Sequence, residues 1–161
     1  MQSHIHPVRR AFLKFTGVLG TMGALAALSA AGLMRAGDAL AAPWNKGGFE
    51  TKAVDEALKS LGAVNMTESK DIVITAPDIA ENGAVVPIAV TSRIPNTQSI
   101  SILAEKNPFP LAASFDITGG DAYVSTRLKM GQTSNVRAVV KADGKYFTAV
   151  KEVKVTVGGC G

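Results

Sequence analysis

The chain has 161 residues, 47% hydrophobic and 19% charged, so length and composition predict one globular domain once any targeting segment is removed. Of its 17 Lys and Arg and 13 Asp and Glu residues, four bases and one acid lie in residues 1–41, which leaves a net charge of +1 for the rest. That remainder has no basic run suited to nucleic acid, so its charge gives no support to a nucleic-acid partner.

The N-terminal segment has the pattern of an export signal. Arg9 and Arg10 are followed by an apolar pair and a lysine, which resembles the twin-arginine signature. An apolar stretch over 15–34 and the small residues of Ala39-Leu40-Ala41 complete a leader with a cleavage site. We expect residues 1–41 to be a cleaved twin-arginine signal peptide that delivers the chain to the periplasm, without stable membrane insertion afterwards. The alternative is a membrane anchor, which four glycines in the apolar stretch disfavour.

The twin-arginine route carries proteins that have already folded, and a bound cofactor or a bound partner is a reason to use it. The sequence has no CxxC or CxxCH motif and no cluster of His or carboxylate ligands at metal spacing. His4 and His6 precede the arginine pair and would leave with the signal peptide. The sequence therefore predicts no cofactor and no metal site, and it favours export together with a folded partner protein.

The domain expected over residues 42–157 begins with a helix. Apolar residues recur at helical spacing from Phe49 to Leu61, acidic residues lie toward the front of this segment, and Gly62 follows as a stop signal. We interpret the apolar stripe as a packing face and not as a cofactor site.

The rest of this domain alternates between short apolar runs and turn residues, which is typical of an all-β fold. Glu81-Asn82-Gly83 predicts a hairpin, and Asp143-Gly144 separates the last two runs. The fold predicted is an antiparallel β-sandwich of immunoglobulin-like type, held by packing alone because a single cysteine forms no intrachain disulfide. The predicted strands cover residues 72–74, 85–94, 99–104, 111–117, 122–130, 135–141 and 146–157.

The last predicted strand alternates polar and apolar residues. Val153, Val155 and Val157 should therefore share one face, which we expect to be buried against the core. Val157 would then anchor the C-terminal tail to the domain.

The tail after Val157 is short and glycine-rich, and it contains the chain's one cysteine. Gly158, Gly159 and Gly161 surround Cys160, and glycine adopts many backbone conformations while offering no side-chain contact. Three extended residues span about 10 Å, so the sulfur can stand that far from Val157. We expect residues 158–161 to be a flexible arm, thin enough to enter a narrow pocket on another protein.

The chemistry of this arm is that of a thiol. An unperturbed cysteine has a pKa of about 8.5, and no Lys or His close to Cys160 in sequence lowers it. This favours a carrier that is activated by the enzymes it visits, and it predicts no catalytic residue in this chain. The alternatives at this stage are a disordered end without function and a site for covalent dimerisation.

The chain resembles the SoxY family of sulfur carriers over about residues 49–161. The ending Val157-Gly158-Gly159-Cys160-Gly161 resembles the Gly-Gly-Cys-Gly-Gly ending of that family, with one terminal glycine fewer. The segments 104–111, 136–140 and 151–155 are similar to stretches of the family as well.

The resemblance implies a carrier in thiosulfate oxidation. It implies a heterodimer with a SoxZ subunit, which has no leader of its own and would be exported with this chain. It also implies transient docking to the SoxAX cytochrome, the SoxB hydrolase and a sulfur dehydrogenase, with Cys160 as the covalent attachment point and no cofactor in the chain.

Two other classes of function remain open at this point. The chain could be a periplasmic immunoglobulin-like module that only binds a protein, with Cys160 incidental. An enzyme with its own site is the weaker option, since the sequence offers no nucleophile–base pair, no paired carboxylates and no phosphate loop. We interpret Asn107-Pro108-Phe109-Pro110 as a rigid turn or a partner-contact loop.

Overall fold

Two short helices precede nine strands in residues 44–157, the part of the chain that the computed structural model describes. The helices are α1 (Lys46–Glu50) and α2 (Val54–Ser60). The strands are β1 (Met66–Glu68), β2 (Ile72–Thr75), β3 (Ile79–Ala80), β4 (Val86–Ser92), β5 (Thr97–Ala104), β6 (Leu111–Asp116), β7 (Tyr123–Leu128), β8 (Ser134–Ala142) and β9 (Lys145–Val155).

The strands form two sheets, which confirms the predicted mainly β, immunoglobulin-like sandwich. The larger sheet has the order β1-β9-β8-β5-β6, and β3 pairs with the far part of β9 beside β1. The smaller sheet has the order β2-β4-β7. The pairs β8–β9, β5–β8, β5–β6, β2–β4 and β4–β7 are antiparallel, while the short strands β1 and β3 lie parallel to β9.

The main core lies between the two sheets. Alternate residues of β4 point inward, and they meet the inward residues of β5 and β8 from the other sheet. Burying a large aliphatic side chain of this kind stabilises a fold by about 1.5–3 kcal/mol. The fully buried side chains include Val86, Ile88, Val90, Ile100, Ile102, Val136 and Val140.

A second, smaller core lies on the outer face of the larger sheet. Ala57 and Leu58 of α2 pack there with Leu103, Leu111 and Val139, all of them nearly or fully buried. The predicted apolar stripe is therefore a packing face, as expected.

The single helix predicted from Phe49 to Leu61 is wrong, because the chain forms two helices instead. The backbone of Thr51 is extended (φ −72°, ψ 146°), which ends α1 before α2 begins. The side chain of Asn45 stabilises this break, since its Oδ1 accepts from the Gly48 amide at 3.0 Å and its Nδ2 donates to the Ser60 carbonyl at 3.0 Å. Asn45 thus ties the start of α1 to the end of α2.

Gly62 ends α2, as the sequence indicates. Its φ of +76° is in the left-handed region that favours glycine. Tyr146 packs directly against it, with the hydroxyl group donating to the Leu61 carbonyl at 2.8 Å. A Cβ atom at position 62 would lie 2.8 Å from that hydroxyl oxygen, so space as well as backbone conformation requires glycine.

The turn at Asp143-Gly144 joins β8 and β9 as predicted, with positive φ at both residues. The hairpin predicted at Glu81-Asn82-Gly83 is wrong, because β3 and β4 lie in different sheets. The Asn82 carboxamide accepts from the Ala84 amide at 2.8 Å, so the segment forms a turn that carries the chain from one sheet to the other.

Within residues 44–157, no helix is both long and apolar enough to cross a membrane.

Candidate functional site: the root of the C-terminal arm

The strand β9 leads to the segment on which the sequence places the chemistry. It is the longest strand of the described domain, at 11 residues, and it lies between β8 on one side and β1 and β3 on the other. The predicted arm residues Gly158, Gly159, Cys160 and Gly161 lie outside the described residues, as do Arg9 and Arg10 of the predicted export signal. The structure therefore describes the arm root, which we define as residues 154–157.

The segment from Asp78 to Gly83 holds one side of the arm root through its backbone. The amides of Lys154 and Thr156 donate to the carbonyls of Asp78 and Ala80, at 3.0 and 3.1 Å. The amide of Gly83 donates to the Val157 carbonyl at 2.8 Å. The backbone is thus hydrogen-bonded beyond the end of the strand, up to the last residue before the predicted arm.

Two threonine hydroxyl groups add side-chain hydrogen bonds to the arm root. The ladder between β8 and β9 ends at the pair Ser134 and Val153, and beyond it the Val155 amide donates to Oγ1 of Thr133 at 3.0 Å. The hydroxyl of Thr133 replaces the backbone partner that β8 no longer supplies. On the other side, Oγ1 of Thr156 donates to the Glu81 carbonyl at 3.2 Å.

The anchoring predicted for Val157 differs from what the structure shows. Val153 is fully buried and Val155 is half-buried, as the alternation predicts, but the side chain of Val157 is 63% exposed. The strand ends at Val155, and position 157 lies beyond the edge of the sandwich core. The backbone of Val157 is what is held, through its carbonyl.

A lysine fastens the segment before β3 onto β9. The ammonium group of Lys151 donates to the Ala76 carbonyl at 2.7 Å and lies 3.0 Å from Oδ1 of Asp78. Asp78 is 89% exposed, so the ion pair is screened by water and the bond to the carbonyl is the more stabilising of the two.

The chemistry available around the arm root is sparse. Residues 44–157 contain no His and no Cys, and no three Asp or Glu side chains among them are grouped so that they could hold a metal ion. Glu81, Glu152 and Lys154 are exposed near the root. Nothing in the described part of the domain supplies an imidazole base or a metal to a group on the arm.

The residues that hold the arm root were missed by the sequence reasoning. Thr133 and Thr156 bond to residues 22 and 75 positions away along the chain, and the strand β3 has only two residues. Neither feature has a local pattern, so no periodicity in the sequence would have indicated it.

Comparisons with known proteins agree with the resemblance of the sequence. A family model for the sulfur oxidation protein SoxY matches residues 58–160. The solved structure of the sulfur carrier protein SoxY from Chlorobium limicola f thiosulfatophilum is similar to this chain, with 44% identity, a TM-score of 0.58, and coverage of 64% of this chain and 94% of that one. A superoxide reductase (neelaredoxin) from Ignicoccus hospitalis has 18% identity and a TM-score of 0.47, over 64% of this chain and 92% of that one. A comparison with curated protein sequences finds no match.

Proposed function

The chain belongs to the SoxY family of sulfur oxidation proteins, and from this premise we propose that it carries sulfur intermediates covalently on Cys160. In this proposal, residues 158–161 are an arm that presents the cargo to separate enzymes. The domain itself is not an enzyme. Its part is to hold the root of the arm and to be recognised by its partners.

The observation that carries this proposal is the hydrogen bonding of the arm root. Backbone bonds hold the chain as far as the Val157 carbonyl, and four residues remain after it. We expect the sulfur of Cys160 to stay within about 10 Å of this held carbonyl, and the glycines to leave its direction free. A short tether on a rigid base delivers one reactive atom into the pocket of another protein.

In the proposed function, the sulfur group on Cys160 is formed and then hydrolysed in two steps. In the first, the Cys160 thiol and thiosulfate form a sulfur–sulfur bond, giving a cysteine S-thiosulfonate, one proton and two electrons. A cytochrome must accept those electrons, and we assign this step to SoxAX. In the second, water attacks the terminal sulfonate sulfur and the bond between that sulfur and the sulfane sulfur breaks, releasing sulfate and a proton, while the bond to Cys160 stays and leaves a persulfide there. We assign this hydrolysis to SoxB, and oxidation of the remaining sulfane to a sulfur dehydrogenase.

Residues 44–157 contain no His and no Cys, which supports the proposal that partner enzymes perform the chemistry and that this chain only carries the cargo. An ordinary thiol at neutral pH is mostly protonated, so it reacts slowly until a partner deprotonates it. A carrier benefits from this, because its empty thiol does not react at random with other disulfides before it meets the loading enzyme.

The proposal includes export and a partner. Residues 1–41 are a twin-arginine leader, which is cleaved, and the domain crosses the membrane folded, as a heterodimer with a SoxZ subunit. It then works in the periplasm.

The test is the intact mass of the protein from the periplasm of thiosulfate-grown cells, before and after reduction. We expect added mass that reductant removes and that maps to the C-terminal peptide, and a mature N-terminus near residue 42. An unmodified thiol, or only a disulfide-linked dimer, would contradict the carrier function and favour a module that binds protein alone.

A further inference from the structure

Asn82-Gly83 is the one place in the chain where an asparagine directly precedes a glycine. The main-chain nitrogen after an asparagine is placed to attack the Cγ atom of that side chain, and glycine favours the reaction because it has no Cβ atom in the way. The structure forms a turn between two sheets here in place of the predicted hairpin, so the pair has no role in a hairpin and none in the proposed function.

The side chain of this asparagine is open to water, while the next residue is not. Asn82 is exposed, and its Oδ1 accepts from the Ala84 amide at 2.8 Å. Gly83 is buried, with its amide donating to the Val157 carbonyl at 2.8 Å and its carbonyl accepting from the Met130 amide at 2.7 Å. The nitrogen that would attack Asn82 is therefore the same nitrogen that holds the arm root.

The bond to Val157 protects the asparagine as long as the arm root is paired. The hydrogen of the Gly83 amide points at a carbonyl oxygen, so the nitrogen neither gives up its proton to water nor turns toward Cγ of Asn82. Bonds of this kind slow hydrogen exchange for the same reason. Attack requires that the segment 80–83 first separates from residues 156–157.

This separation breaks few other bonds. The Thr156 amide donates to the Ala80 carbonyl at 3.1 Å, and its Oγ1 donates to the Glu81 carbonyl at 3.2 Å. Thr156 and Glu81 are both exposed, and both follow the last residue of their strand. Openings at such exposed ends have a smaller free energy than global unfolding. We therefore expect the arm root to open far more often than the domain unfolds.

We propose that Asn82 is a site of spontaneous covalent modification, converted to aspartate and isoaspartate at a rate set by the opening of the arm root. In the opened segment, the Gly83 nitrogen forms a bond to Cγ of Asn82 and loses its hydrogen. The bond from Cγ to the carboxamide nitrogen breaks, and that nitrogen leaves as ammonia with the same hydrogen. Water then opens the cyclic imide on one side or the other, which gives the two products. The overall change consumes water and releases ammonia, with no change of oxidation state.

The isoaspartate product changes the arm root itself. Its main chain runs through Cβ and Cγ, so one extra carbon atom lies between the Cα atom of residue 82 and the nitrogen of Gly83. The Gly83 amide is displaced with it, and we expect its bond to the Val157 carbonyl not to re-form. The modification therefore leaves an arm root that is permanently loosened on one side.

The experiment incubates the purified chain in warm, mildly alkaline buffer beside a synthetic peptide of residues 78–87. Peptide mapping by mass follows the replacement of the amide group by a hydroxyl group at position 82, and an isoaspartate methyltransferase with a labelled methyl donor measures isoaspartate. Isomerisation at Asp143-Gly144 is methylated too but leaves the mass unchanged, so the mass assigns the product to Asn82. Hydrogen exchange of the Gly83 amide by NMR gives the fraction of time for which that amide is open. We expect the chain to react at the rate of the peptide multiplied by this fraction.

A pair of matched variants tests whether opening is local to the arm root. Thr156→Val removes the hydroxyl bond to the Glu81 carbonyl and should speed deamidation about fivefold, which corresponds to the loss of one hydrogen bond. Thr97→Val is the control, because it also removes a hydroxyl group that donates to a carbonyl, that of Ile94, at the opposite end of the sandwich. It weakens the fold without touching the segment 80–83, so the rate should stay as it is.

Three results would overturn the proposal: a chain that reacts as fast as the peptide, no acceleration in Thr156→Val, or equal acceleration in both variants. Melting temperatures show whether the variants fold, and if Thr156→Val does not, the comparison of hydrogen exchange with deamidation in the unaltered chain still decides. The reaction needs no cargo on Cys160. Its failure would leave the proposed carrier function untouched, and a failure of Cys160 to load would leave this chemistry untouched.

Discussion

The two ends of the sandwich are built differently. At the arm end, which we define as the connections 105–110 and 129–133 and the segment 76–85 with β3, together with residues 156–157, side chains bridge separate segments: Asn107 reaches Lys129, Ser134 reaches Lys106, and Thr133 reaches β9. At the far end, which we define as the loops 93–96, 117–122 and 143–144, most such bonds stay within one loop.

The far end shows the ordinary pattern of turns in a small β protein. Oγ of Ser92 and Oγ1 of Thr97 lie 2.8 Å apart, and Thr97 also donates to the Ile94 carbonyl at 2.8 Å. A bond between the exposed side chains of Asn96 and Asp143, at 3.3 Å, crosses from one loop to another. The comparison teaches that side-chain bonds between separate loops are concentrated where the chain leaves the domain toward Cys160, which is where a carrier needs a fixed origin.

The largest effect we expect is from the cysteine itself. Cys160→Ser should abolish sulfur loading completely, since a hydroxyl group forms no sulfur–sulfur bond, while the melting temperature and the partner complex stay unchanged. The measurement is the intact mass after incubation with thiosulfate and the loading enzyme. Adduct that persisted on the serine variant would place the cargo elsewhere and remove the functional meaning of the arm end.

Two glycines with nearly equal, positive φ values test how loosely the far end is packed. Gly62 and Gly120 have φ values of +76° and +77°, but only the first has the Tyr146 hydroxyl in the way of a Cβ atom. We expect Gly120→Ala to lower the free energy of unfolding by about 1 kcal/mol through backbone strain alone. Gly62→Ala should lower it by about 2–3 kcal/mol, because the bond from Tyr146 to Leu61 is lost as well. Urea denaturation measures both, and equal losses would mean that the loop of Gly120 is packed more tightly than its open surroundings indicate.

A Thr→Val substitution at each end of the sandwich tests the comparison further. Thr133→Val and Thr97→Val each remove a half-buried hydroxyl group from its hydrogen bonds, and each should cost about 1 kcal/mol in the free energy of unfolding. Only Thr133→Val should also loosen the arm root.

Spin labels report that difference. One label on Cys160 and one on Ser125→Cys, at an exposed position of β7, give a distance distribution by pulsed electron resonance. We expect the distribution to broaden in Thr133→Val and to keep its width in Thr97→Val. An unchanged width in both variants would show that the Thr133 hydroxyl does not position the arm.

The smallest effect concerns the exposed partner of Lys151. Asp78→Asn should change the free energy of unfolding by less than about 0.5 kcal/mol, because the carboxylate is largely in water. Lys151→Met should cost about 1 kcal/mol, since the bond to the Ala76 carbonyl disappears. Thermal melts at low and high salt check this, and a strong loss in Asp78→Asn at low salt would mean that charge holds the arm end together.

Strands and turns that depend on a local residue pattern could be predicted from the sequence. The runs 85–94 and 135–141 predict two strands of the core, which the structure places at Val86–Ser92 and Ser134–Ala142, and Asp143-Gly144 predicts the turn between β8 and β9. Local patterns do not determine which strands become neighbours, so the turn at Asn82 looked like a hairpin although it joins two sheets.

The arm root could not be predicted because distant segments build it. Alternation assigns Val157 to the buried face, but alternation does not say where the core stops, and the core stops before that residue. The partners that hold the root, at Ala80, Gly83 and Thr133, become its neighbours only through the completed fold.

The position of β9 has a mechanical consequence. Hydrogen-bonded neighbours flank it on both sides, β8 along most of its length and β1 and β3 at two places opposite. A pull on the C-terminus acts along the strand axis, so it loads these bonds together in shear and does not open them one after another. Under the proposed function, tension from a partner that grips the arm would be spread over the larger sheet, and we expect the domain to withstand repeated capture and release without peeling at its end.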